Sequence, residues 1–154
     1  MRVSEVGRLR VSDSDAQRDL IRVEQGKGRK ERYTLLGPRL LAELRHSWQV
    51  YRPVPPWLFP QRRTAAPIDP ATAQKLSYAA KRRAGITKAG GIHALRHSFA
   101  THLLEAGTDR PTLQQLLGHD SVTTPMRSVH VAQQRVTAHG SPLDGLPLES
   151  EPAG

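Results

Sequence analysis

The sequence predicts one α+β domain, mainly helical, with a small antiparallel β-hairpin or sheet. Three observations predict it. An apolar and polar alternation near residue 20 is followed by a glycine turn and a second β-rich run. From Pro38 onward apolar residues recur at three- and four-residue spacing, the period of an amphipathic helix. A length of 154 residues is enough to bury one core and argues against two domains.

In chain order, Val3, Val6 and Leu9 stand at helical spacing, and the Ser12-Asp13-Ser14-Asp15 cluster is read as the end of that element. From Asp19 to Glu24, Leu20, Arg22 and Glu24 alternate with Ile21 and Val23. Gly26-Lys27-Gly28 then turns the chain and Glu31 to Leu36 returns, which makes the hairpin. Pro38 suits a first helical turn, and Leu40, Leu41, Leu44 and Trp48 form one apolar face behind it. Val50 to Ile68 holds five prolines around Trp57-Leu58-Phe59 and is read as an extended connection. Asp69-Pro70 opens a helix that stops at Gly85.

The next helix begins near His93. On a helical wheel Arg96, His97, Ala100 and Leu104 fall on the same side as His93, while Ile92, Leu95, Phe99, Leu103 and Ala106 cluster on the other. The second face is expected to be buried and the first offered to a partner. Gly107 is a natural cap, Pro111 starts the short helix PTLQQLL, and Gly118 ends it just before His119. Ser121 or Thr123 is expected to cap a last helix through Val131, with Pro125 tolerated near its first turn. The domain is therefore drawn over 1–138. Residues 139–154, rich in Pro, Gly, Ser and acids, read as a disordered or loosely docked tail.

Charge narrows the partner. Lys and Arg number 23 against 14 acidic residues, a net charge of +9. Three of those acids lie in the basic-free tail, so residues 1–138 carry 23 positive charges against 11, or +12. Such an excess is the footprint of a protein that meets phosphates. No run approaches the ~20 apolar residues needed to span a bilayer, and the N-terminus lacks a secretory pattern, so the reading is cytoplasmic, without membrane contact. The absence of cysteine excludes disulfide scaffolds, thiolate zinc sites and cysteine nucleophiles. Clustered carboxylates for a metal-dependent nuclease are not found either.

The chemistry concentrates in Gly91 to Val131, GIHALRHSFATHLLEAGTDRPTLQQLLGHDSVTTPMRSVHV. It contains a His-x-x-Arg (His93, Arg96) on a helix and a Leu-Gly-His ending at His119. These motifs, with RVSE at residues 2–5 and GKGRKER at 26–32 about sixty residues upstream, closely resemble the signature of the tyrosine recombinases, the phage-integrase family. The resemblance runs from Arg2 to about Val136. It implies a tyrosine-recombinase catalytic-domain fold, without its first helix, that acts in DNA integration and recombination on double-stranded DNA. The DNA is expected to be shared with further copies of the chain or with intact recombinase protomers. No cofactor and no metal is implied.

The resemblance also assigns roles. Arg2 and Arg96 map to two guanidiniums that clamp the phosphate with paired hydrogen bonds. Lys27 maps to the general acid that protonates the leaving oxygen, His93 to a general base or phosphate ligand, and His119 to a donor on a nonbridging oxygen. With Lys27, Arg96 and His119, the basic residues Arg29, Lys30 and Arg32 are expected to face DNA. The family's nucleophilic tyrosine follows the Leu-Gly-His by nine residues, and here that position is Ser128. The chain is therefore expected to be deficient in cleavage. The alternative is a non-enzymatic DNA-binding remnant or modulator derived from a mobile-element integrase.

Taken singly, each residue has a plainer reading. Arg2 fits an exposed helix arginine, Lys27 a phosphate-attracting turn, and His119 a helix cap. His93 and His97 share the spacing of a zinc pair, but the sequence offers no third ligand at a telling distance. His97, His102, His130, Trp48 and Trp57 are read as packing or supporting residues.

Overall fold

The computed structural model describes residues 1–24, 31–118, 134 and 141–147. Lys27, Arg29, Lys30, His119, Ser128 and the expected last helix lie outside the described residues. The elements are α1 (Val3–Gly7), a 3₁₀ turn (Val11–Asp13), β1 (Ser14–Asp15), β2 (Leu20–Glu24), β3 (Glu31–Leu35), α2 (Pro38–Tyr51), α3 (Pro70–Arg83), α4 (His93–Glu105) and α5 (Arg110–Leu117). The expected α+β class, mainly helical with a small antiparallel sheet, is what is found.

The sheet has the order β1-β2-β3, with Ile21 opposite Thr34 and Val23 opposite Arg32. Its third strand corrects the expectation for the Ser12–Asp15 cluster. The first helix ends at Gly7, well before the cluster, which instead makes the 3₁₀ turn and pairs Ser14 with Ile21 and Asp15 with Leu20. Asp13 explains the turn. Its carboxylate is buried, accepts the Arg10 backbone N–H at 2.8 Å, and receives two donors of the Arg22 guanidinium at 2.9 and 3.2 Å. Burying the charge is tolerable because both carboxylate oxygens are occupied.

Two apolar clusters flank the sheet. Leu9, Ile21, Val23 and Leu36 form one, and Leu40, Leu41 and Leu44 of α2 cover it together with Leu58 and Phe59. The proline-rich connection is thus tied down, with backbone bonds from Leu58 N to Leu9 O (2.8 Å) and from Val11 N to Pro56 O (3.0 Å). Leu103, Leu113, Leu116 and Leu117 form the second cluster, joined by Leu35, Phe99 and Ala100. The α5 helix is delimited as its sequence dictates. The Asp109 carboxylate accepts the Thr112 N–H at 2.9 Å, and Gly118 adopts φ +71, the left-handed conformation that glycine reaches without a steric cost.

The two faces of α4 are not divided as the wheel suggested. Leu95 is 66% exposed, and Arg96 lies on the inward stripe instead. At ~100° per residue, Arg96 sits ~20° from the buried Leu103 and Leu95 ~80° from it, so the arginine is nearer the middle of the stripe. Its apolar stem lets it lie there. Leu116→Ala should therefore cost ~2–5 kcal/mol in a urea unfolding curve. Leu95→Ala should stay within ~0.5 kcal/mol. Equal losses would return Leu95 to the core.

The tail is docked where it is described. Gly37 precedes α2 without a capping side chain, and Asp144 takes the place of one, accepting the Arg39 N–H at 3.1 Å. The Arg39 guanidinium in turn donates to Leu143 O at 2.8 Å and Leu146 O at 2.7 Å.

Candidate functional site

The Arg2 and Arg32 guanidiniums meet a single carboxylate, Glu5, and the Arg96 guanidinium lies near enough to Arg2 and Glu5 to feel the charge of both. Arg2 precedes the first turn of α1, and Glu5, one turn on, accepts the Arg2 backbone N–H at 2.6 Å while its other oxygen lies 4.0 Å from Arg2 Nη1. The spacing of residues 2 and 5 thus creates a local clamp that holds a half-exposed arginine at the start of a helix. Arg96 arrives from the inward face of α4. Burial lowers its pKa first, the charge of Arg2 lowers it further, and Glu5 opposes both. Arg96 Nη1 is buried and has no hydrogen-bond partner among the described residues.

Arg32, expected to face DNA with the rest of its basic turn, is only 3% exposed. Its Nη2 meets Glu5 Oε2 at 2.7 Å and Leu117 O at 3.5 Å, and its Nε and Nη1 have no acceptor among the described residues. Burial lowers the Arg32 pKa, Glu5 raises it, and Arg96 and Arg2 lower it again. The α-amino group of Met1 senses the same surroundings. Its pKa is lowered to about 6, by burial first and then by Arg32 and Arg96.

Two guanidiniums therefore share one carboxylate with a third beside them, and buried N–H donors of Arg32 and Arg96 have no acceptor among the described residues. An unpaired buried donor costs ~1–3 kcal/mol, and such a cluster is stabilised by an added anion. A planar guanidinium fork fits the oxygens of a phosphate better than an ammonium does. His93 opens α4 one turn before Arg96 and is exposed. The loop ahead of it is tied back to α3, where the Lys81 ammonium donates to Lys88 O at 2.6 Å and Gly90 O at 2.7 Å.

Of the residues expected in the site, the structure thus brings Arg2 and Arg96 together, sets His93 on the same helix as Arg96, and moves Arg32 inside. Lys27, His119 and Ser128 lie outside the described residues. Glu5 was missed, although an acidic residue three positions after a basic one at a helix start is a legible signal. No group of three or more His, Cys, Asp or Glu residues able to hold a metal occurs among the described residues. No described helix is long and apolar enough to cross a membrane.

The chain is similar to known proteins over most of its length. The model of the phage integrase family matches residues 1–135. A putative integrase/recombinase of Sinorhizobium fredii, y4qK, is 44% identical over 147 residues, covering 96% of this chain and 47% of the relative. The crystal structure of the XerA recombinase superimposes with a TM-score of 0.71 at 32% identity, covering 90% of this chain and 53% of that one. The XerH site-specific recombinase, solved bound to its palindromic difH substrate after cleavage, gives a TM-score of 0.62 at 29% identity, covering 94% of this chain and 42% of that one. The chain spans about half the length of the curated relatives it matches.

Proposed function

The chain belongs to the phage integrase family of tyrosine recombinases, and from that premise we propose that it binds duplex DNA in the cytoplasm as a strand-exchange domain, with the Arg2–Arg96 cluster as its phosphate site. The single observation that carries the reading is the buried Nη1 of Arg96, without a partner among the described residues, beside two further guanidiniums that share one carboxylate. The +12 charge of residues 1–138 supports the same partner.

The roles follow from the chemistry of a metal-free phosphodiester exchange. The nucleophile's oxygen bonds to phosphorus as the bond from phosphorus to the 5′ oxygen breaks, and negative charge grows on the nonbridging oxygens meanwhile. Arg2 and Arg96 hold those oxygens. Lys27 gives its proton to the departing oxygen, His93 acts as base or phosphate ligand, and His119 donates to a nonbridging oxygen. Ser128 in the nucleophile slot favours a cleavage-deficient chain, and it also favours the second reading, a DNA-binding modulator that occupies sites used by intact relatives.

Arg96→Leu tests the phosphate site. Loss of one phosphate contact should weaken binding to all duplexes about alike and reduce the slope of log affinity against log salt by ~1. Fluorescence anisotropy with two unrelated duplexes measures both, and an unchanged slope in folded protein refutes the assignment.

A further inference from the structure

We propose that Arg32 is the buried strut of the phosphate site: it fixes Arg2, through Glu5, and the C-terminal end of α5, through Leu117 and Gly118, in one frame against Arg96, and does not itself touch DNA. The inference rests on the phosphate-site reading above and names a positioning residue for it.

The geometry points to a strut in three ways. First, Arg32 reaches far along the chain in both directions. Its Nη2 bonds Glu5, 27 residues before it, and Leu117 O, 85 residues after it, so one side chain joins β3 to both α1 and α5. Second, the contact with Glu5 continues to Arg2, because the carboxylate that receives Arg32 also receives the Arg2 backbone N–H at 2.6 Å. A carboxylate gripped from one side by a buried guanidinium has its rotamer set, and with it the start of α1. Third, the Arg32 guanidinium lies directly against Gly118, where an added Cβ would collide with its Nε and Cζ. The glycine that ends α5 therefore serves two purposes there. It supplies the left-handed turn (φ +71) and leaves room for the strut. The next residue in the sequence is His119.

Stability alone does not account for this arrangement. Arg32 leaves two buried donors, Nε and Nη1, without acceptors among the described residues, and burial opposes its charge before any partner helps. An apolar residue packed on Val23 and Leu117 avoids both penalties. What an apolar residue lacks is the ability to bond a carboxylate and a helix-end carbonyl at once, which is the geometry a preorganised site needs.

Removing Arg32 alone strands Glu5 and risks the fold, so the informative variant is the paired Arg32→Met/Glu5→Leu, which takes out both charges. Two measurements are made, alongside a thermal melt that establishes folding. Native-state hydrogen exchange follows the Val6 amide, bonded to Arg2 O, and the Gly118 amide, bonded to Gln114 O. The pair should speed exchange at both by at least ~10-fold while the Val23 amide in the sheet is unchanged. DNA titrations against salt compare Arg2→Leu, the pair, and the triple variant. The pair should lose about the same ~1 unit of salt slope as Arg2→Leu. Adding Arg2→Leu to the pair should then remove nothing further. Wild-type exchange at either amide, a wild-type slope in the pair, or additive losses in the triple variant overturns the proposal. A wild-type chain that binds no DNA sinks the phosphate-site reading alone, because the exchange arm is read without DNA.

Discussion

Duplex affinity is expected to fall by ~10³ or more between 50 and 200 mM salt, the response of a protein that engages six or more phosphates. The expectation comes from where the charge lies. Residues 1–138 carry +12 in excess, Arg96 lies close enough to feel the charge of Arg2 while the nearby carboxylate of Glu5 is already paired with Arg32, and Arg29 and Lys30 follow Lys27 in the sequence. Each phosphate that meets one of these groups releases condensed counterions, and the entropy of that release shrinks as bulk salt rises. Most of the affinity should be indifferent to sequence, since phosphate contacts carry none. Anisotropy titrations of two unrelated duplexes at five salt concentrations measure this. A flat response, or one confined to a single duplex, removes the electrostatic basis of the proposed function.

Elements set by local rules are legible in the sequence. The α2 helix follows from Pro38 and the Leu40, Leu41, Leu44 face. The α5 helix follows from Pro111 and Gly118, which start and stop it, whereas its Asp109 cap emerges only in the fold. What escaped reading depends on contacts distant in the chain. Ser14 and Asp15 have little strand propensity, and they pair only because Leu20 and Ile21 present an edge to them. Arg32 reads locally as one more cation in GKGRKER. Nothing near it reveals that its partners are Glu5 and Leu117. The faces of α4 were misdivided for a related reason. A wheel that ranks residues by hydropathy moves a leucine inward and an arginine outward, whereas the packed helix turns Arg96 toward Arg2 and Glu5 and leaves Leu95 in solvent. A charge drawn inward against its own hydropathy is a candidate functional position, and here that departure from the pattern coincides with the proposed phosphate site.

The chain as it stands should form no covalent link to DNA, and Ser128→Tyr should be the first requirement for creating one. Register fixes the position: Leu117-Gly118-His119 precedes it, His130 follows it, and the ninth residue after His119 is where the family carries its tyrosine. A serine hydroxyl is a poor substitute on two counts. A phenol of pKa ~10 ionises far more readily than an aliphatic alcohol, which makes it both an easier nucleophile to activate and a better leaving group when the strand is resealed. Its ring also carries the oxygen several ångströms farther from the backbone, and a nucleophile displaced by even ~1 Å can lose 10²-fold in rate. A nicked suicide duplex measures the outcome, because a strand fragment that diffuses away leaves any covalent adduct as a denaturant-resistant band. Wild-type protein should give no band and Ser128→Tyr a band that disappears when Arg96→Leu is added. A wild-type band lost in Ser128→Ala would instead make the serine the nucleophile and end the claim of deficiency. If Ser128→Tyr gives nothing although it binds DNA as the wild type does, the fault lies in how the tyrosine is presented. Pro125, three residues ahead of it, removes a backbone donor and restricts the turn that must aim the phenol, so Ser128→Tyr combined with Pro125→Gln is the variant that separates a missing nucleophile from a misdirected one.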